Sequence, residues 1–149
     1  MRIALQEASQ AAEEGEIPVG AVIVQDGQLI ARAHNMTERL RDVTAHAEMQ
    51  AITAAAMTLG GKYLQGCTLY VTVEPCPMCA GAIIQARIPK VVMGCMNPKA
   101  GCAGSVLDML HQDGFNHQAE SEKGVLGEEC SLMMKRFFKN LREKNQINK

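Results

Sequence analysis

The sequence predicts an α/β fold: a three-layer α/β/α sandwich around a central mixed five-stranded sheet. Three observations carry that expectation. Residues 19–33 form two β-rich runs around Asp26-Gly27, a dipeptide that tolerates positive φ and suits a tight hairpin. Residues 68–93 give strand, helix and strand within about 25 residues, the spacing of a right-handed parallel crossover. Helical patterns precede the hairpin and separate it from the crossover, so helices are available to cover both faces.

In chain order, Ile3, Ala4, Ala8, Ala11 and Ala12 recur at 3/4 spacing over residues 2–14, a helix with a narrow small-residue stripe ended by Gly15 and Pro18. After the hairpin, Thr44 to Leu59 is rich in Ala and Met, good helix formers, and stops at Gly60-Gly61. Thr68 to Val73 is a β-branched apolar strand, a helix covers about Cys76 to Arg87, and Val91 to Met93 is a further short strand before the loop 97–104. Ser105 with Asp108 suggests a capping box opening a short helix through Leu110, and a weak strand is expected within 116–122. A basic helix over about 127–145 opens with Glu128-Glu129 and ends among Lys and Arg, complementing its dipole.

The 149 residues, 47% hydrophobic and 21% charged, suit one folded domain spanning 1–149. Apolar runs fall well short of the roughly 18 residues that cross a bilayer, and Met1 leads into polar residues, so neither a membrane span nor an export signal is expected. Six cysteines without such a signal point to reduced thiols or metal ligands instead of a disulfide framework. The net charge of −1 conceals an asymmetry: residues 135–149 hold six basic side chains and one acidic. With Phe137 and Phe138 among the cations, that stretch has the aromatic and cationic character that single-stranded nucleic acid requires.

The chemistry concentrates in His46-Ala47-Glu48 and Pro75-Cys76-Pro77-Met78-Cys79. Cys76 and Cys79 lie three apart at a helix start, where the dipole favours thiolate. One His and two Cys without an evident fourth protein ligand describe a catalytic zinc, with a position left for water. In mid-helix, residues two apart diverge by about 200°. His46 and Glu48 therefore converge only around a helix's first turn, which the preceding Asp42-Val43-Thr44 allows. A carboxylate there can take and return the proton of an activated water. Cys67, Cys95, Cys102 and Cys130 have no metal-like spacing and are expected to pack, while His34, beside Asn35, is a candidate pocket residue. The loop around Lys99 lacks the spacing of a nucleotide-binding P-loop.

H-x-E followed by P-C-x-x-C is the signature of zinc deaminases that act on bases. On these motifs the chain resembles the cytidine-deaminase-like superfamily, and within it the bacterial tRNA adenosine deaminases. The likeness extends through residues 16–22, 44–48, 69–82, 99–105, Asn116-His117 and Phe137-Phe138. The resemblance implies hydrolytic deamination of the wobble adenosine of a tRNA anticodon loop to inosine by a cytoplasmic homodimer with one Zn2+ per subunit. It implies His46, Cys76 and Cys79 as metal ligands and Glu48 as proton shuttle. Asn35 would bind the edge of the base, the backbone near Ala47 and Glu74 would frame the leaving group, and Asn97, Lys99, Phe138 and Arg142 would lie near the flanking nucleotides. Lys139 is expected to join Lys99 and Arg142 in gripping phosphates. The chain departs from the family at Asn97, where many relatives carry Asp, and Met1 falls where relatives are already inside the first helix. A deaminase of a free base or nucleoside, guanine or cytosine, is the alternative.

Overall fold

The computed structural model describes residues 1–148, with the elements α1 (Arg2–Glu13), β1 (Gly20–Gln25), β2 (Gln28–His34), α2 (Thr37–Leu40), α3 (Ala47–Leu59), β3 (Cys67–Val73), α4 (Pro77–Gln85), β4 (Lys90–Cys95), β5 (Glu120–Glu122) and α5 (Gly127–Ile147). One five-stranded sheet runs in the order β2-β1-β3-β4-β5. β1 is antiparallel to β2 and β3, whereas β3, β4 and β5 are mutually parallel, so the sheet is mixed. Helices α1 and α5 pack on one face, α3 and α4 on the other.

Local chemistry sets most of this. Asp26 (φ 50°) and Gly27 (φ 75°) both take left-handed backbone, which fits a type I′ turn and matches the twist of the paired strands. Alternate residues Ala21, Ile23, Leu69, Val71, Val91 and Met93 join Ala47, Ala51, Ala55, Ala80 and Ile83 in the core beneath α3 and α4. On the opposite face α1 presses its backbone onto Gly20: a Cβ there would overlap the Ala4 carbonyl oxygen and approach Ala8 N to 2.7 Å. The small-residue stripe of α1 permits that approach. Ala4, Ala8 and Ala11 are buried, but Ile3, read as part of the same stripe, is exposed.

The structure differs from expectation in several elements. The Ser105–Asp108 helix is absent. Ser105 turns its hydroxyl and N–H to Glu74 instead, Ala103 bridges Asp108, and only a one-turn 3-10 helix, Met109–His111, follows. The helix expected from Thr44 begins at Ala47, because Asp42 Oδ1 accepts the Thr44 N–H and hydroxyl at 2.8 and 2.7 Å and closes a separate turn. The short α2 has no counterpart in the sequence pattern, since its cap comes from distant Glu16. The weak strand shrinks to Glu120–Glu122.

Candidate active site

The parallel strands β3 and β4 end together, beside the first turns of α3 and α4. His46 is the N-cap of α3 and Cys76 the N-cap of α4, with Pro77 beginning the helix at a position where its missing N–H costs nothing. His46 Nδ1 lies 3.5 Å from the Sγ of both Cys76 and Cys79, and the three donor atoms fall within 4.8 Å of one another. A tetrahedral zinc with sulfur at about 2.3 Å and nitrogen at about 2.05 Å sets an S···N edge of about 3.6 Å. The donor set and its spacing therefore fit that ion. A hydrogen bond from Cys79, against the opposing effect of burial, and a second from His46 pull the Cys76 thiol down to about 4. Cys79 is pushed up by its bond to Cys76 and by burial.

Glu48 occupies the first turn of α3 and is 3% exposed. Its Oε1 has no hydrogen-bond partner among the described residues. Burial raises its pKa above the ordinary glutamate value despite the nearby His46. An unpartnered buried carboxyl oxygen is costly unless a ligand or water completes it, and Glu48 lines a cavity of about 650 Å³. That cavity is lined by His46, Cys76 and Glu48 and by Asn35, Ala47, Glu74, Asn97, Lys99, Phe138 and Arg142, all singled out by the sequence. Cys79, fully buried, lies beneath it.

A model of the MafB19-like deaminases matches residues 1–142. The tRNA-specific adenosine deaminase of Bacillus subtilis (strain 168) is 51% identical over 146 residues, 98% of this chain and 91% of its own length. The chain belongs to the tRNA-specific adenosine deaminases. A solved structure from studies of A-to-I editing by tRNA:A34 deaminases at the wobble position superposes with a TM-score of 0.86 at 44% identity, covering 89% of this chain and 96% of that one. A guanine deaminase structure from Bacillus subtilis is more distant, at 34% identity and TM-score 0.63, covering 95% and 90%.

In this deaminase one wall of the cavity is the loop after β4, and Glu74 holds it. One carboxylate oxygen accepts the Asn97 N–H at 2.9 Å and the Ser105 hydroxyl; the other accepts the N–H groups of Ala103 and Ser105 at 3.0 and 2.9 Å. Burial would raise the pKa of Glu74, but these four donors lower it. Gly101 passes so close that a Cβ would overlap the carboxylate.

The opposite wall comes from α5, where Ser131, Lys135, Phe138 and Arg142 recur at 3/4 spacing on the cavity side. Ser131 and Lys135 were missed from the sequence, although counting back one turn at a time from Phe138 leads to both. Lys139 is not among the lining residues; Lys135 takes the place expected for it. Phe137 meets Phe138 edge to face at 5.4 Å but turns toward the groove between α1 and α5.

His34 does not line the cavity. Its Nδ1 lies 2.6 Å from Glu7 and its Nε2 2.9 Å from Glu14, tying β2 to α1. Cys67, Cys102 and Cys130 are buried as expected of packing residues, whereas Cys95 also lines the cavity.

Proposed function

We propose that the chain hydrolytically deaminates adenosine to inosine at the wobble position of tRNA anticodons. The observation that carries the chemistry is the buried, unpartnered Glu48 oxygen beside the His46–Cys76–Cys79 cluster. His46, Cys76 and Cys79 would hold a zinc ion, which would make a water acidic enough to ionise near neutral pH. Glu48 accepts a proton from the attacking water and delivers it to N1 of the ring as oxygen adds at C6. It then moves the second water proton to the exocyclic amine, which leaves as ammonia while the ring becomes inosine. Burial, which raises the pKa of Glu48, suits a group that must both take and return a proton.

Asn35 binds the edge of the base. The backbone at Ala47 and Glu74 borders the departing amine, and Asn97, Lys99, Phe138 and Arg142 meet the flanking nucleotides. Phe138 offers a stacking face and Lys99 and Arg142 offer charge, which an extruded base on a phosphate chain needs and a free base does not. We assign the working form to a cytoplasmic homodimer. Val106 and Leu107, each more than half exposed, support a covered surface. Among the described residues no helix is long and apolar enough to cross a membrane.

Turnover of free guanine or cytosine is the competing reading, favoured by the likeness to the guanine deaminase. Incubating zinc-loaded protein with an anticodon stem-loop carrying a wobble adenosine, and separately with free adenosine, guanine and cytosine, decides between them. Inosine in the RNA is the expected result. Rapid turnover of a free base beside untouched RNA would reverse the assignment.

A further inference from the structure

We infer that Glu16 is a positioning residue for Asn35, acting across the base end of the cavity without touching the substrate; the inference rests on the reading of Asn35 as a base-binding residue. Glu16 is fully buried just after α1, and its N–H donates to the Ala11 carbonyl at 2.9 Å. Its carboxylate reaches 22 residues ahead: Oε1 accepts the Glu38 N–H at 2.9 Å and Oε2 the Arg39 N–H at 2.8 Å, in the first turn of α2. An exposed Ser or Asp beside so short a helix would satisfy the same donors at no desolvation cost. What the buried glutamate adds is a bond between two segments distant in sequence.

Asn35 stands between those segments. Its Nδ2 donates to the carbonyl of Ile17, the residue next to Glu16, at 3.3 Å, and its Oδ1 accepts the N–H of Thr37, the residue next to Glu38, also at 3.3 Å. Ile17, Asn35 and Thr37 all line the cavity. An asparagine amide has two donor hydrogens and two acceptor lone pairs. The two bonds use one of each, fix which end is oxygen, and leave one donor and one acceptor for a base. The Glu16 bridge holds the Ile17 carbonyl and the Thr37 N–H at a set separation, so loosening it frees the amide to rotate.

The test is a double-mutant cycle of Glu16→Gln and Asn35→Ala on the zinc-loaded enzyme, with KM and kcat measured on the stem-loop. Glu16→Gln keeps the shape but sets an NH2 group against a backbone N–H. Expected are a rise in KM of about tenfold for Glu16→Gln, about one hydrogen bond's worth of binding, a larger rise for Asn35→Ala, which removes both bonds to the base, and no further rise in the double variant over Asn35→Ala. Glu16→Asp, which keeps both acceptors on a shorter stem, is expected to fall between and serves if Glu16→Gln folds poorly. Ile88→Val, buried beyond the far end of β4, controls for lost stability and should leave KM unchanged. Additive effects of the two substitutions, or a Glu16 variant that lowers only the melting temperature, would overturn the positioning role while leaving Asn35 its own. An unchanged KM in Asn35→Ala would instead remove the base-binding reading, and the positioning role with it.

Discussion

Glu74 and Ser105 are joined twice, the carboxylate of one accepting both the N–H and the hydroxyl of the other across 31 residues. This pair fixes the loop that carries Asn97 and Lys99 to the strand end that leads into Cys76. Ser105→Ala removes the hydroxyl bond and leaves three backbone donors, at a cost of about 1.5–3 kcal/mol for a bond to a charged group. Gly101→Ala forces a methyl into the carboxylate itself and disturbs all four bonds, so it is expected to destabilise more and to weaken stem-loop binding more. Thermal melts and KM values of both variants check the order; equal effects would mean that Glu74 does not hold the loop.

Glu48→Gln keeps size and burial but cannot cycle a proton. It is expected to retain zinc and lose about 10³-fold or more in kcat, toward the upper end of what one acid–base group supplies. Zinc content by mass spectrometry together with single-turnover rates tests this. Near-normal deamination by a zinc-loaded variant would sink the shuttle role.

Removing zinc should expose a difference between the two cysteines. Cys76 is half-buried and its thiol is held near 4, whereas Cys79 is fully buried and pushed up. After chelation, iodoacetamide at pH 6 is therefore expected to label Cys76 first, as a thiolate, with Cys79 lagging far behind. Bound zinc should protect both. Equal labelling with and without zinc, read by peptide mass spectrometry, would argue against either as a ligand.

His34 gives the fold a pH dependence with a definite sign. Burial disfavours its charged form, but the Glu7 and Glu14 carboxylates on its two ring nitrogens outweigh that and raise its pKa above 6.5. A pKa raised by folding means stability that is fully present below 6.5 and lost as pH climbs through the higher folded value. Glu7 is lowered, the bonds from His34 and Arg32 overcoming its burial, so its share is lost only at the acid end, as pH falls through its depressed value. The melting temperature is expected to drop as pH rises above 6.5, and His34→Gln should flatten that drop. Parallel curves for the two proteins would show that the α1–β2 link does not set the slope.

What the sequence revealed and what it hid follow from range. His46, Glu48, Cys76 and Cys79 were legible because helix-tip geometry is local: residues two apart can converge only at a first turn, and a thiol pair three apart can share one side. Glu16 works through partners 22 and 23 residues away and Asn35 reaches back 18 residues to Ile17, and no spacing rule reaches that far. Ser105 resembles a local cap because Asp108 stands three residues on, yet a buried carboxylate 31 residues upstream offers its donors a stronger acceptor. Charge alone groups Lys139 with the phosphate-gripping cations. Its position one residue past Phe138 turns it about 100° away around the helix.

That rotation separates the cations of α5 by the side of the helix they occupy and gives a salt-dependence test. Lys135 and Arg142 face the cavity, Arg136 and Lys144 face the groove beside α1, and Lys139 lines neither. For a single strand, every phosphate left without its protein cation lowers the slope of log K against log salt by about 0.7. Lys135→Ala and Arg142→Ala are each expected to weaken stem-loop binding and flatten the slope by about that amount, and Lys99→Ala to do the same from the opposite wall. Lys139→Ala, equal in charge change but on another side of the helix, should leave the slope close to that of the parent. A uniform response from all four would mean that the RNA senses only the summed charge of the terminal helix, and would remove the cavity-facing stripe from the binding site.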